Sequence, residues 1–263
     1  MAIWNPPADI KAAFFDVDGT LLSFATHMVP ETTLMALAEL KKLGVKCFIA
    51  TGRPPYQLDE ISIDTFEGFI LFNGQLCLTR DEVYYDGYID REDVRAIVQQ
   101  VKEGRYNALF MEKGRCYLSG HDDHVRAIEE SVAMTFPEGD IEQALENDIY
   151  QLNIYLGPGE TGIVSEVTSN IKMTRWSEHF VDAFPRYGGK HAAVRRTLER
   201  YGIAPEQAVA FGDGGNDLSM FGVVGTSVAM GNGNDDVKLQ ADFVTDDVDH
   251  DGIYNAFVRL GVL

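Results

Sequence analysis

The chain has 263 residues, 45% of them hydrophobic and 24% charged, enough for one large globular domain or two modest ones with real cores. Its 22 Lys and Arg stand against 41 Asp and Glu, and the resulting formal charge of −19 repels nucleic acid and anionic membranes, so neither is an expected partner. The three cysteines, Cys47, Cys77 and Cys116, are odd in number and widely spaced, which argues for reduced thiols and against a disulfide frame or a zinc site.

In chain order, the opening MAIWNPPADIK has neither a basic start nor a long apolar run, so no leader is expected. No later apolar stretch approaches the ~20 residues of a membrane helix, and a cytoplasmic setting follows. KAAFF, residues 11–15, is too short an apolar run for a helix and predicts a buried strand. Residues 30–44, PETTLMALAELKKLG, predict a helix with Leu34, Leu37, Leu40 and Leu43 on one face and Gly44 as its stop. VKCFIATG predicts a second buried strand, and PPYQLDEIS a helix that starts on prolines. GFILFNGQLCL predicts a third strand in which Asn73-Gly74 allows a turn or bulge. Buried strands alternating with helices imply a parallel sheet covered on both faces.

The pattern changes near Val83. DREDVRAIVQQVKEG predicts an amphipathic helix with Asp90 as N-cap. YNALFME and RCYLSG predict paired strands around Lys113-Gly114, followed by a helix at DDHVRAIEESVAM, a strand at YQLNIYL, a helix at GETGIVSEVTSNI and strands at KMTRWS and HFVDAF. After Arg186 the first pattern resumes: helix KHAAVRRTLERYG, strand AVAFGD, short helix NDLSMFG, strand TSVAMG and helix DDVKLQA. The expected fold is α/β: a Rossmann-like parallel-sheet core, 1–82 and 187–263, with an inserted αβ cap domain, 83–186.

Four pieces fall at or just beyond expected strand ends or at a helix start, where open α/β sheets gather ligands. They are Asp16 and Asp18; Thr51 with Gly52; Lys190; and the run Gly212-Asp213-Gly214-Gly215-Asn216-Asp217. Carboxylates from Asp16, Asp18, Asp213 and Asp217 in one crevice are costly unless something compensates them. A hard divalent cation does so, and Mg²⁺ takes oxygen ligands from carboxylates, water and phosphate. Lys190 supplies a point cation, while the hydroxyls of Thr20 and Thr51 and the amides of glycine turns suit phosphate oxygens. One carboxylate of such a set can attack phosphorus and a second can shuttle a proton to the leaving oxygen and from water.

The ordered set D-x-D-G-T-L, T-G-R, a lone Lys and G-D-x-x-N-D resembles the haloacid dehalogenase-like phosphatases, and within them the Cof-type sugar-phosphatase branch with a large αβ cap between the Thr motif and the Lys. The likeness spans almost the whole chain. It implies Asp16 as nucleophile, Asp18 as general acid and base, and Mg²⁺ held by Asp16, the Asp18 main-chain carbonyl and Asp213, with Asp217 supporting that shell. It also implies Thr51 and Lys190 on the phosphoryl group, Asn216 orienting Lys190 or the phosphate, and Asn73-Gly74 lining the substrate side. The departure is Gly214-Gly215, where many relatives carry larger residues; it loosens the loop without removing a ligand.

The expected activity is Mg²⁺-dependent hydrolysis of a small phosphorylated metabolite, a sugar phosphate first among them, by a monomer or weak dimer whose cap closes over the crevice. Arg53, beside Thr51-Gly52, either reaches substrate or pairs with a surface carboxylate. In the cap, Arg175 and Trp176 are candidates for sugar contact, and solvent is the default partner of Asp182. No histidine has ligand spacing. A phosphomutase is the alternative, needing a second cationic phosphate site from residues such as Arg105, Arg115, Arg126 and Arg175, and a bisphosphate requirement would reveal it. A binding module that retains the fold without turnover is the other, although it has no need of intact Asp16, Asp18, Lys190 and Asp213.

Overall fold

The computed structural model describes residues 9–59, 61–132, 134–175 and 177–263. The chain divides into two compact units. One comprises the chain up to Arg53, Leu58–Tyr85 and Lys190–Leu263; the other comprises Pro54–Gln57 and Asp86–Gly189.

The first unit begins with β1 (Ala12–Phe15), α1 (Glu31–Lys42), β2 (Lys46–Ala50), β3 (Gly68–Leu71), β4 (Leu76–Thr79) and β5 (Val83–Asp86). Every residue of β1 and β3 is buried, which is why both read as unbroken apolar runs. The second unit supplies α2 (Arg91–Lys102), β6 (Asn107–Met111), β7 (Cys116–Leu118), α3 (Asp123–Val132), β8 (Gln151–Tyr155), α4 (Gly162–Ser165), β9 (Ile171–Thr174) and β10 (Val181–Pro185). The first unit then continues with α5 (Lys190–Tyr201), β11 (Ala208–Gly212), α6 (Leu218–Phe221), β12 (Thr226–Ala229), α7 (Asp235–Gln240), β13 (Phe243–Val244) and α8 (Gly252–Arg259).

Eight strands form the first sheet in the order β13-β12-β11-β1-β2-β3-β4-β5. Pairing is parallel from β13 to β3, and β4 turns back antiparallel on β3. Phenylalanines fill both faces. Phe14 stacks on Phe48 on one side, while Phe15, Phe211 and Phe257 of α8 pack together on the other. Each such buried ring contributes about 1.5–3 kcal/mol by leaving water. The second unit is a five-stranded antiparallel sheet, β7-β6-β8-β10-β9. One face packs Phe110, Tyr117, Leu152, Ile154 and Ala183 against Val94, Ile97 and Val98 of α2.

Several local expectations change. In α1 the buried residues are Thr33, Ala36, Leu37 and Leu40, whereas Leu34 and Leu43 are exposed. Leucines three apart drift backwards by about 60° per step on a helix of about 100° per residue, so residues 34 and 43 end on opposite sides. The helix expected at PPYQLDEIS is a 3₁₀ turn at Pro55–Gln57, because Leu58 and Ile61 alone give no apolar stripe to bury; Glu60 lies outside the described residues. The long helix expected at GETGIVSEVTSNI shrinks to α4, since Gly, Ser, Thr and Val are weak helix formers. The third strand is two strands, β3 and β4, joined through a 3₁₀ turn at Phe72–Gly74. Asp90 is the N-cap residue of α2, but its carboxylate takes a hydrogen bond from Asn170 and caps nothing. The cysteines are free: Cys47 and Cys77 are buried and Cys116 is half-buried.

Candidate active site

Parallel register assembles the site. β1 lies between β2 and β11, with Phe15 level with Ile49 and Phe211. The next residues after each strand, Asp16, Thr51 and Asp213, therefore emerge side by side at the carboxyl edge of the sheet. The Asp16 amide donates to the Phe211 carbonyl at 3.0 Å, and the Thr51 amide to the Ile70 carbonyl at 2.9 Å.

Lys190 opens α5 and is fully buried. Its Nζ donates to Asp16 Oδ1 at 2.7 Å and to Asp217 Oδ1 at 2.6 Å. The other oxygen of Asp217 accepts from the amides of Asp213 and Gly214, both at 3.0 Å, so this buried carboxylate fixes the loop after β11. A side chain at Gly212 would collide with it. Asp213 Oδ1 accepts from the Thr20 hydroxyl at 3.2 Å. One carboxylate oxygen from each of Asp16, Asp213 and Asp217 lies within 4.8 Å of the others.

The electrostatics follow from this crowding. Burial, and then the neighbouring charge of Asp217, push the Asp16 carboxyl up to about 7, with Lys190 opposing. Burial, with the charges of Asp16 and Asp217, pushes Asp213 up to about 8. Burial works against the charge on Lys190, but the two carboxylates more than offset it and hold the ammonium above the ordinary lysine value. The cluster carries more negative charge than Lys190 balances, and its donors are hard oxygens. That is the donor chemistry of a Mg²⁺ or Mn²⁺ site, so the residues present fit such an ion.

Asp18 stands apart from this trio. Its carboxylate is gripped by Arg53, with Nε on Oδ2 at 3.0 Å and Nη2 on Oδ1 at 2.7 Å. Of the two expectations for Arg53, the structure has the pairing with a carboxylate, and that carboxylate is Asp18 of the D-x-D motif. The Arg53 amide donates to Thr51 Oγ1 at 3.1 Å, so the T-G-R turn places hydroxyl and guanidinium together. Phe72 and Asn73 both adopt left-handed backbone, φ 51° and 52°. That turn brings Asn73 back over the Thr51 carbonyl at 2.9 Å, and its Oδ1 accepts from Asn216 at 3.3 Å. Gly52 lets Asn73 approach closely, since a Cβ there would stand 3.0 Å from Asn73 Nδ2.

The sequence reading missed Asn232. Its amide donates to the Gly19 carbonyl at 2.7 Å and accepts from the Val248 amide at 2.9 Å, tying the D-G-T turn to a distant loop. The glycine-flanked run Gly231-Asn232-Gly233 was the available signal. In the second unit, Arg175 donates to the main-chain carbonyls of Leu156, Gly157, Ser177 and Phe180, so it knits loops together. Arg115 sits on Glu112 and Arg126 on Asp123. Asp182 is buried and accepts from Asn153, which corrects its expected exposure. Trp176 lies outside the described residues.

Comparison with known proteins bears on this geometry. The model of the haloacid dehalogenase-like hydrolase family matches residues 13–257. A Bacillus subtilis (strain 168) protein named "Putative phosphatase YkrA" is 34% identical over 260 residues, covering 97% of this chain and 99% of its own. The solved structure of BT1666, described as a phosphatase from Bacteroides thetaiotaomicron, matches with a TM-score of 0.91 at 32% identity, covering 100% of both chains. That of BT4131, described as a subclass IIB sugar phosphatase, matches with a TM-score of 0.87 at 32% identity, covering 96% of this chain and 100% of its own.

Proposed function

This chain belongs to the haloacid dehalogenase-like hydrolase family and is a phosphatase of that family, and from that premise we propose that it hydrolyses small sugar phosphates with a bound Mg²⁺ through an aspartyl-phosphate on Asp16. The observation that carries the mechanism is the trio Asp16, Asp213 and Asp217, with the buried Lys190 bonded to Asp16 and Asp217. The substrate class is supported by the likeness to the sugar phosphatase BT4131.

Asp16 and Asp213 would hold the ion with their carboxylates and Asp18 with its main-chain carbonyl. Bound there, Mg²⁺ supplies positive charge to the phosphoryl oxygens as negative charge builds on them. Asp217 acts behind this shell, since both its oxygens are already engaged. Lys190 and the Thr51 hydroxyl bind the phosphoryl oxygens, and Lys190 keeps Asp16 aligned for attack.

In the first half-reaction an Asp16 oxygen bonds to phosphorus, the bond from phosphorus to the sugar oxygen breaks, and protonated Asp18 gives its proton to that oxygen. In the second, Asp18 takes a proton from water as the water oxygen bonds to phosphorus. The bond from phosphorus to Asp16 breaks and phosphate leaves. Arg53 holds both oxygens of the Asp18 carboxylate and so fixes its orientation for these proton transfers.

The test is phosphate release from a panel of sugar phosphates, nucleotides and a chromogenic ester, with Mg²⁺ or with EDTA, for the wild type and Asp16→Asn. The expected result is release that requires metal, is highest on sugar phosphates, and falls by at least about 10³-fold in Asp16→Asn. No release from any ester by folded, Mg²⁺-loaded protein would overturn the reading.

A further inference from the structure

We infer that Phe24 is a specificity-determining residue, an aromatic platform at the mouth of the catalytic crevice that receives the sugar ring of the substrate; this rests on the sugar-phosphatase reading. Three observations carry it. The first is place. Gly19, with φ +72°, is closely covered: a methyl group there would collide with Phe24 Cε2 at 2.6 Å and with Asp213 Cγ at 2.8 Å. The ring edge of Phe24, on the loop that carries Asp16 and Asp18, and the Asp213 carboxylate therefore both pack against Gly19.

The second is exposure. Phe24 is 62% exposed in a unit whose other site residues are mostly buried. What sets Phe24 apart from the other exposed apolar side chains is its contact with Gly19 beside Asp213, which puts a solvent-facing ring next to the polar crevice. The third is rigidity. Ser23, 1% exposed, accepts through Oγ from the amides of Ala25 (3.0 Å) and Thr26 (3.1 Å). Its own amide donates to the Met28 carbonyl at 3.1 Å, and its carbonyl accepts from the His27 amide at 3.0 Å. Four hydrogen bonds converge on the residue before Phe24, so the ring is displayed from a fixed base.

The chemistry points to a sugar. Lys190 and the carboxylate trio address the phosphoryl end, and none of them offers an apolar surface. A pyranose or furanose presents a face of C–H groups that packs on an aromatic ring, whereas a short acyclic ester has no such face. The phosphoryl group at the carboxylates and a ring on Phe24 would divide recognition of one ligand between charge and dispersion.

The test compares hexose 6-phosphates with acyclic glycerol 3-phosphate as substrates of the wild type, Phe24→Ala and Phe24→Trp. In Phe24→Ala the preference for the cyclic ester, as a ratio of kcat/KM values, is expected to fall about three- to tenfold, carried by KM. Phe24→Trp is expected to keep it. A ratio unchanged in Phe24→Ala, or a parallel loss on both esters, would overturn the platform while leaving the sugar-phosphatase reading in place. A wild type that cleaves only non-sugar esters would remove that reading, and the platform with it.

Discussion

Lys190 gives its proton donors to Asp16 and Asp217, while Asp213 receives only the Thr20 hydroxyl among the hydrogen bonds seen at its carboxylate. Burial and the charges of the neighbouring carboxylates outweigh Lys190 and make the site bind protons more tightly than the unfolded chain does, with Asp16 raised from 3.8 to about 7 and Asp213 from 3.8 to about 8. A carboxyl with a raised folded-state pKa contributes stability that is fully present below its unfolded value and is lost as pH climbs through the folded value. In EDTA, thermal unfolding should thus shift to lower temperature as pH rises from about 4 to about 8. Mg²⁺ should reverse the loss at the upper end, because it binds the ionised form. Asp16→Asn should flatten the pH slope and, at pH 8 in EDTA, melt no lower than the wild type. Lys190→Met should do the opposite, costing about 3–5 kcal/mol by leaving two buried carboxylates unpaired. An Asp16→Asn protein as pH-sensitive as the wild type would disprove this assignment. Sequence alone made the acidic residues and Lys190 legible, because each sits in a short pattern at a strand end or helix start. It did not show which oxygen meets which nitrogen. The grip of Arg53 on Asp18 and the backbone bonds of Asp217 depend on loop geometry that residue spacing does not encode.

The same contrast holds for whole elements. Strands of the first sheet were legible because a strand buried on both faces reads as a plain apolar run. The antiparallel pairs of the second unit were legible from turn residues such as Lys113-Gly114. Weakly helical segments were not, since prolines at Pro54-Pro55 and the β-branched and glycine content of 159–171 permit a turn without sustaining a helix. In α1 the helix was legible and its buried face was not. That face now makes a prediction. Leu37 is 1% exposed and Leu34 43%. Leu37→Ala should destabilise the protein by about 2–5 kcal/mol in chemical unfolding, because it opens a cavity beneath the sheet. Leu34→Ala should stay within about 0.5 kcal/mol. Equal costs would mean that α1 packs through the leucine spacing of its sequence and not through the Thr33, Ala36, Leu37, Leu40 face.

For the molecule as a whole, the decisive quantity is the charge of −19. A phosphate ester is itself an anion, so the long-range field opposes its approach, and attraction begins only near Lys190 and the bound cation. These two influences have different ranges. Repulsion from scattered surface carboxylates is felt over about 30 Å at 0.01 M ionic strength and about 8 Å at 0.15 M. The bonds made by buried Lys190 are screened far less. Raising salt over that interval, with free Mg²⁺ held constant and saturating, should therefore raise kcat/KM a few-fold. The change should appear in KM, since chemistry in the crevice does not sense distant charge. Enzymes that steer anionic substrates with a positive field show the reverse slope. Initial rates on a sugar phosphate well below KM, measured across a KCl series, decide between them. A fall in kcat/KM with salt would show that the local cations govern the approach as well as the binding, and that the acidic surface acts on solubility alone.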